Sequence, residues 1–496
     1  MKIILAGYNL DSEVIEALKR NSPGRDDVSP ETLSASYARI SRDPRPVDEL
    51  RRAAREEVER ARRSNQTIIF KMGHHSVAEH AVFNFDLIGL SRLAIEELEH
   101  FRLCSFTEKS QRYITLKDDF VLPGEVRRAR MEKVFVETIK AQNRLYRSLL
   151  GRLRPYFFEK YKARTSNPKN HPILEGWAKE DARYIVSLAT EGQLGLTINA
   201  RNLELLVRRF AAKDLEEVKD LGRRLYALAK DVAPSLLLFT IPSDFDAKTY
   251  SELADEAAVL VRKRALRPGG EGFLLVDRTA DGDGKILAGL LHTVSGEPLK
   301  ECRAAVAKLS VRKKREFVKT AMRRMEFYDS PPRELEFAGL TFELVVSSSC
   351  YAQLKRHRLA TLTCQPYDPG LGVTVPPSIR ETGGELEFLD MIAKTDEAHA
   401  RLKKRVGRAA DYVLTNAHRR RVLLDVNLRE LYHISRLRED LTAQWEIRKL
   451  AADMSRLAKK EFPLTTILLG AKDAYPALYK KVFGRKPKLL PPKFWS

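Results

Sequence analysis

Gln353-Leu-Lys-Arg356-His357-Arg358-Leu-Ala-Thr361-Leu-Thr363 has a counterpart 256 residues earlier, in Glu97-Leu-Glu-His100-Phe101-Arg102-Leu-Cys-Ser105-Phe-Thr107-Glu108-Lys-Ser110-Gln-Arg112-Tyr113. Each stretch follows an amphipathic run and ends in an Arg-Leu-x-Ser/Thr-x-Thr core. A second pair confirms the repeat: Asn199-x-Arg201 recurs as Asn427-x-Arg429, 228 residues on, so the first half carries 28 more residues between its two marks. A chain of 496 residues holding one pattern twice reads as a duplication, with two domains of ordinary size.

Working outward, Met1 to Asn9 reads as a first β-strand, and Asp11 to Arg20 as a short helix capped by Asp11. Pro46 to Arg63 has helical spacing, Ser76 is placed to cap the element after Gly73, and Phe83, Phe85 and Leu87 alternate like a strand. Leu90 to Phe101 reads as a helix, as do Pro123 to Arg164, a stretch beginning at Asp181 to Val186, and Asn199 to Arg224. The cluster Arg267-Pro-Gly-Gly-Glu-Gly is the best domain boundary, because Phe273-Leu-Leu-Val-Asp then opens a new strand. The expected organisation is a first copy over 1–250, a linker over 251–272, a second copy over 273–485 and a surface-draped or flexible tail over 486–496. Periodicity gives a mixture of α and β.

Lys and Arg number 88 against 67 Asp and Glu, a net charge of +21 that favours polyanionic partners: nucleotides, phosphorylated cofactors or nucleic acid. No apolar run approaches the roughly eighteen residues of a membrane span. The four cysteines (Cys104, Cys302, Cys350 and Cys364) form no CxxC pair, so neither a disulfide framework nor a zinc ribbon is implied, and a reducing cytoplasm is the default. His75, Glu79 and His80 lack metalloprotease spacing; a metal site, a packed polar cluster and a ligand-binding role all stay open for them.

The two central stretches carry the chemistry. Arg356, His357 and Arg358 put two guanidinium forks beside an imidazole, the geometry for bidentate capture of phosphate, carboxylate or imide oxygens. Gln353 lies three residues earlier, on the helix face of Arg356. Glu108, Ser110 and Arg112 alternate, so an extended loop aims an acceptor, a hydroxyl and a fork to one side. No Walker loop, GxGxxG or Ser/His/Asp order stands out.

At these residues the chain resembles the flavin-dependent thymidylate synthases, whose signature is RHRxxS followed by N-E-x-S-x-R-Y, with an upstream H-x-[ST]-x-x-E-H element and a late N-x-R helix ending in L-R-x4-A-Q-W-E-I. Here His74-His75-Ser76-Val-Ala-Glu79-His80 matches the upstream element, Thr107-Glu108-Lys-Ser110-Gln-Arg112-Tyr113 the loop, Arg356-His357-Arg358 the RHR, and Leu437-Arg438 through Ala443-Gln444-Trp445-Glu446-Ile447 the last element. Neither copy is whole. The first has Glu97, His100, Phe101 and Phe210 where the second has Gln353, Arg356, His357 and Arg438; the second has Cys364, Pro366, Asp368 and Asp411 where the first has Glu108, Ser110, Arg112 and Arg183. The losses are complementary.

The resemblance implies an α+β fold in two tandem copies, each an antiparallel sheet with flanking helices. It implies FAD-dependent reductive methylation of dUMP, with methylenetetrahydrofolate and NADPH as co-substrates, at one composite site between the copies. Arg438 and Ser110 are expected to act on the uracil, and Glu108, Arg112, Arg183, Gln353 and Arg356 to hold dUMP. Ser76, Glu79, Arg356, His357, Arg358, Asn427, Arg429, His433, Asn199 and Arg201 are expected to hold FAD. No metal site is expected. The mirror-image junction is expected to be dead, and a homodimer to imitate the family's homotetramer. The alternatives are a non-catalytic flavin- or nucleotide-binding relative and an RNA-binding protein using basic helices Arg127 to Lys133 and Lys308 to Arg324.

Overall fold

In the computed structural model, residues 1–20, 28–40, 43–261 and 272–495 are described. The boundary cluster around Arg267 lies outside them. The first half contains β1 (Lys2–Tyr8), β2 (Val82–Ser91), β3 (Ser105–Glu108) and β4 (Glu191–Asn199); the second contains β5 (Phe273–Arg278), β6 (Gly339–Ser347), β7 (Thr361–Cys364) and β8 (Arg419–Asn427). Both sheets are antiparallel and have one order, β1-β2-β4-β3 and β5-β6-β8-β7. The repeated topology places the two motifs in equivalent positions, each running from the helix after a central strand into an edge strand.

The helices that matter for the site are α1 (Arg92–Leu98), α2 (Glu132–Lys160), α3 (His171–Ala182), α4 (Ala200–Ala211), α5 (Asp244–Leu260), α6 (Ser348–Leu354), α7 (Glu385–Val406), α8 (Leu428–Arg438) and α9 (Trp445–Glu461). Alternation drives the sheets: Phe83, Phe85 and Leu87 of β2, with Leu194, Leu196 and Ile198 of β4, point into one core, and Leu340, Phe342 and Leu344 of β6, with Val422, Leu424 and Val426 of β8, into the other. A third core unites the halves. Tyr146, Leu149 and Leu153 of α2 pack against Phe388, Met391 and Ile392 of α7, and Gln142 donates to the Thr395 hydroxyl at 2.9 Å. At roughly 1.5–3 kcal/mol for each large apolar side chain buried, that helix pair is a substantial fastening.

The halves also join through backbone. Ser187 pairs antiparallel with Thr415, Leu188 N donates to Leu414 O at 2.7 Å, and Ala417 N donates to Tyr184 O at 2.8 Å.

Several expectations need correction. The stretch from Asp181 does not begin a helix: α3 ends at Ala182, Arg183–Ile185 is a single tight turn, and the residues beyond it pair across the halves before β4. Asn199 to Arg224 is two helices, because Leu215 turns extended (φ −75°, ψ 123°) to bury near Phe210. Pro46 to Arg63 likewise breaks at Glu57. Ser76 caps nothing; the short turn His75–His80 starts after His74, behind Gly73 at φ 77°. Residue 250 falls inside α5, none of whose residues is buried. The tail, expected to be surface-draped or flexible, lies on the surface, where Trp495 meets Trp177 edge-on with ring centroids 5.5 Å apart.

Candidate active site

Each half presents its motif by the same local device. β2 and β6 end in Ser91 and Ser347, whose hydroxyl oxygens accept from the N–H groups of Ala94 (2.9 Å) and Cys350 (3.0 Å) and cap α1 and α6. The same hydroxyls donate to Glu217 and Glu446. Each carboxylate also receives a tyrosine from the opposite half: Tyr412 reaches Glu217 at 2.7 Å and Tyr184 reaches Glu446 at 2.6 Å. Both helices are only seven residues long, so the motif emerges at once. Arg356 lies past the helix end, with Lys355 as the C-cap, and does not share a helix face with Gln353 as the spacing predicts.

One seam gathers the intact residues of both copies. Arg356 crosses to β3 and donates to Glu108 at 2.7 Å, and the other oxygen of Glu108 takes Arg92 at 2.8 Å. Arg112 donates to Glu180 and to the carbonyl of Thr442 at 2.9 Å, mooring a first-half arginine on the second-half loop before Ala443. Arg438 donates through Nε to His357 Nε2 at 2.9 Å and through Nη2 to Gln353 O at 3.3 Å. Arg183 is buried, with Nε and Nη2 lacking a hydrogen-bond acceptor, and the buried Oε1 of Gln353 lacks a donor. Ser110 Oγ accepts from Arg112 N at 3.2 Å.

Charge accumulates here. Burial, then Arg112 and Arg356, pull Arg438 down to about 10, which leaves it cationic at neutral pH. Burial lowers Arg183, Glu180 opposes it, and Arg112 and Arg92 add to the lowering. Arg438 thus lies near Arg112 and Arg356, and Arg183 near Arg112 and Arg92. Unpaired guanidinium hydrogens among mutually repelling cations form a site prepared for an anion, because an anion satisfies both.

His357 is held neutral, its pKa depressed by burial and then by Arg438; accepting from Arg438 at Nε2 assigns its proton to Nδ1, which faces Glu430 at 3.6 Å. His433 meets it edge-on at 5.6 Å. Asn427 caps α8, accepting from Glu430 N, and Arg429 donates to Pro331 O at 2.9 Å and contacts Glu336. Ligand atoms of His357, Glu430 and His433 lie within 4.8 Å of one another, yet the adjoining Arg438 disfavours a cation there. Expected partners in the first half form a separate group: Arg201 pairs with Glu79, Asn199 caps α4, and Ser76 is exposed. Arg358 is also among the residues expected to hold flavin. It turns across the seam to the carbonyls of Arg102 and Cys104, while Arg102 reaches back to the carbonyl of Arg358 at 3.4 Å.

The mirror junction is filled by its own side chains. Arg420 pairs with buried Glu96 and lies over the rings of Tyr367 (4.2 Å) and Tyr351 (4.9 Å). Arg408 and Lys213 neutralise Glu97, His100 meets the Tyr351 hydroxyl at 2.8 Å, and Asp411 meets His399 at 2.9 Å. Phe210 packs on Phe101.

Sequence reasoning missed Arg92, Glu99, Glu180, Tyr184 and Arg420. Each reads as an ordinary polar residue until its partner, often more than two hundred residues away, is beside it.

The fold defines a duplicated α+β protein with an arginine-rich seam between its two copies. Comparison with known proteins gives the family: residues 26–235 and 274–464 each match thymidylate synthase complementing protein, and the chain belongs to that family. A flavin-dependent thymidylate synthase of Geobacter sulfurreducens is 30% identical over 216 residues, 42% of this chain and 80% of that protein. A UPF0159 protein of Chlamydia muridarum is 24% identical over 414 residues, 78% of this chain and 77% of that one. A crystal structure of a flavin-dependent thymidylate synthase from Helicobacter pylori, complexed with FAD and dUMP, covers 48% of this chain and 100% of its own at 17% identity and a TM-score of 0.31. The family's members are methyltransferase enzymes acting in thymidylate synthesis, and this chain is one of them. Among the described residues no helix is long and apolar enough to cross a membrane.

Proposed function

We propose that the chain methylates dUMP to dTMP at the arginine-walled seam, using FAD, NADPH and methylenetetrahydrofolate, with one working site per chain. The observation that supports this best is complementarity: Arg356 of one copy pairs with Glu108 of the other and Arg112 reaches the Thr442 carbonyl near Arg438, while at the opposite junction Arg408 pairs with Glu97 and Arg420 with Glu96.

Arg112 and Arg183 grip the phosphate, as the unpaired Nε and Nη2 of Arg183 suit. Arg438 faces the uracil edge and favours its ionised imide, a bidentate role that lysine does not reproduce. Ser110 positions the ring, and Glu108 sets Arg356 between nucleotide and flavin. Flavin, when bound, carries the reducing equivalents from NADPH to the transferred carbon. Neutral His357 with its unpartnered Nδ1, together with Asn427, Arg429 and His433, fits a polar heterocycle rich in acceptors. No protein nucleophile is required; the residues orient substrate and stabilise charge.

Ser76 and Arg201 are exposed and Glu79 and Asn199 half-buried, apart from the seam, which supports a homodimer in which a second copy completes the flavin contacts. Free thiols suit a reducing, cytoplasmic setting. The test is anaerobic reduction of FAD-loaded protein by NADPH with and without dUMP, followed by tritium release from 5-tritiated dUMP. Flavin bleaching without tritium release under full co-substrate would leave a binding protein and sink the enzyme reading.

A further inference from the structure

We infer that Glu99 and Lys355 form a charge lock on the chain's internal two-fold axis, which permits only unlike halves to pair and steers Arg356 toward the nucleotide. The steering part rests on the proposed function; the locking part stands on geometry alone.

Glu99 and Lys355 are the same position in the two copies, 256 residues apart, the interval that separates Arg102 from Arg358. Equivalent residues that touch one another must lie beside the axis relating the copies. Both pairs do so: Arg102 and Arg358 exchange guanidinium-to-carbonyl contacts, and Lys355 Nζ lies 2.9 Å from Glu99 Oε2. The Glu99 and Lys355 side chains are 1% and 2% exposed.

In a symmetric dimer of identical subunits, a residue on the axis meets its own copy. A charge buried there faces a like charge, and a buried unpaired charge is strongly disfavoured. Duplication removes that constraint, because one copy can carry Glu and the other Lys. Pairing a first half with another chain's first half would bring Glu99 against Glu99, and two second halves would bring Lys355 against Lys355. The lock thus selects the pairing that builds the composite site.

The same carboxylate has a second task. Glu99 Oε1 contacts Arg356 Nη2, which also donates to Glu108 at 2.7 Å. Arg356 is held between two carboxylates, its side chain 31% exposed toward the seam, while Glu99 stands behind it. Glu99 is a positioning residue: it acts on substrate only through Arg356.

The experiment uses the full-length chain as E99K, K355E and the swap E99K/K355E, with E99Q and K355Q as neutral controls, reading melting temperature and dUMP affinity by calorimetry. The two like-charge single variants, E99K and K355E, are expected to melt below their neutral controls, and the swap to lose less than the two single losses combined. The swap places a lysine behind Arg356, so dUMP affinity is expected to fall about tenfold even where stability returns, and E99Q to weaken it more than K355Q. Where a like-charge variant yields no soluble protein, recovery of soluble protein in the swap reads the same coupling. Additive losses overturn the lock. Wild-type dUMP affinity in both the swap and E99Q overturns the steering. A wild-type chain that binds no dUMP sinks the functional reading and the steering with it, while the melting series still decides the lock.

Discussion

Tyr184 donates its hydroxyl to Glu446 in the opposite half at 2.6 Å, and Tyr412 repeats that contact on Glu217 at 2.7 Å. Each carboxylate also receives the serine that caps the helix leading to a motif, so the seam and the motif are one hydrogen-bonded unit in both junctions. The junctions share a frame and differ in what fills it.

That shared frame makes the two tyrosines a matched pair of probes. Tyr184→Phe and Tyr412→Phe should each cost about 1–3 kcal/mol, because each leaves a buried carboxylate short of a donor. Only Tyr184→Phe should weaken dUMP binding, since Tyr184 also accepts from Gln444 at 2.7 Å beside the working seam. Chemical denaturation and calorimetry check both halves of this expectation.

Removing the converging cations should separate binding from chemistry. Arg112→Ala and Arg183→Ala should raise KM for dUMP, with Arg183 giving the larger effect because its fork is buried and unpaired. Arg438→Ala should lower kcat by about 10²–10³, the scale for losing one preorganised charge-stabilising group. Arg438→Lys should not rescue it. Steady-state tritium release measures all four variants.

Titration of the chain with a tight dUMP analogue should give one site, not two. Glu96, Glu97 and Arg420 occupy the mirror junction, and Arg408→Ala there should lower stability without changing that stoichiometry or turnover. A stoichiometry of two would require that this packing opens.

Asp181 gives a pH signature. Burial first, then Glu180, raises its pKa from 3.8 to about 7, against hydrogen bonds from Ser378 and Trp445. Between those values the folded state keeps a proton that the unfolded chain releases, so stability falls as pH rises from about 4 to about 7 and levels off above. Asp181→Asn should melt higher than wild type by several degrees at pH 8 and lose that advantage near pH 4. Melting curves across this range, at fixed ionic strength, decide it.

Much of the site was legible in the order of residues. The complementary losses, Glu108, Ser110 and Arg112 in one copy against Arg356 and Arg438 in the other, are sequence facts, and the structure brings them to one seam. Strands β1, β2 and β5 were also visible, through alternation or an apolar start. β4 and β8 were not, although Leu194, Leu196 and Ile198 alternate, because their last residue, Asn199 or Asn427, opens a helix whose stronger period absorbed the reading. That Arg358 reaches the carbonyls of Arg102 and Cys104 was not legible either: motif membership says nothing of which carbonyl a guanidinium will find.

The sequence by itself therefore determined the duplication, its sheet-and-helix halves and the split of the candidate site residues between them, since those depend on residue type and spacing. Tertiary structure alone decided that Glu99 and Lys355 are buried against each other and that Arg420 plugs the second junction. The physical reason is that a charged side chain read in isolation belongs in water; only a counter-charge at contact distance, delivered from the other half, makes its burial tolerable.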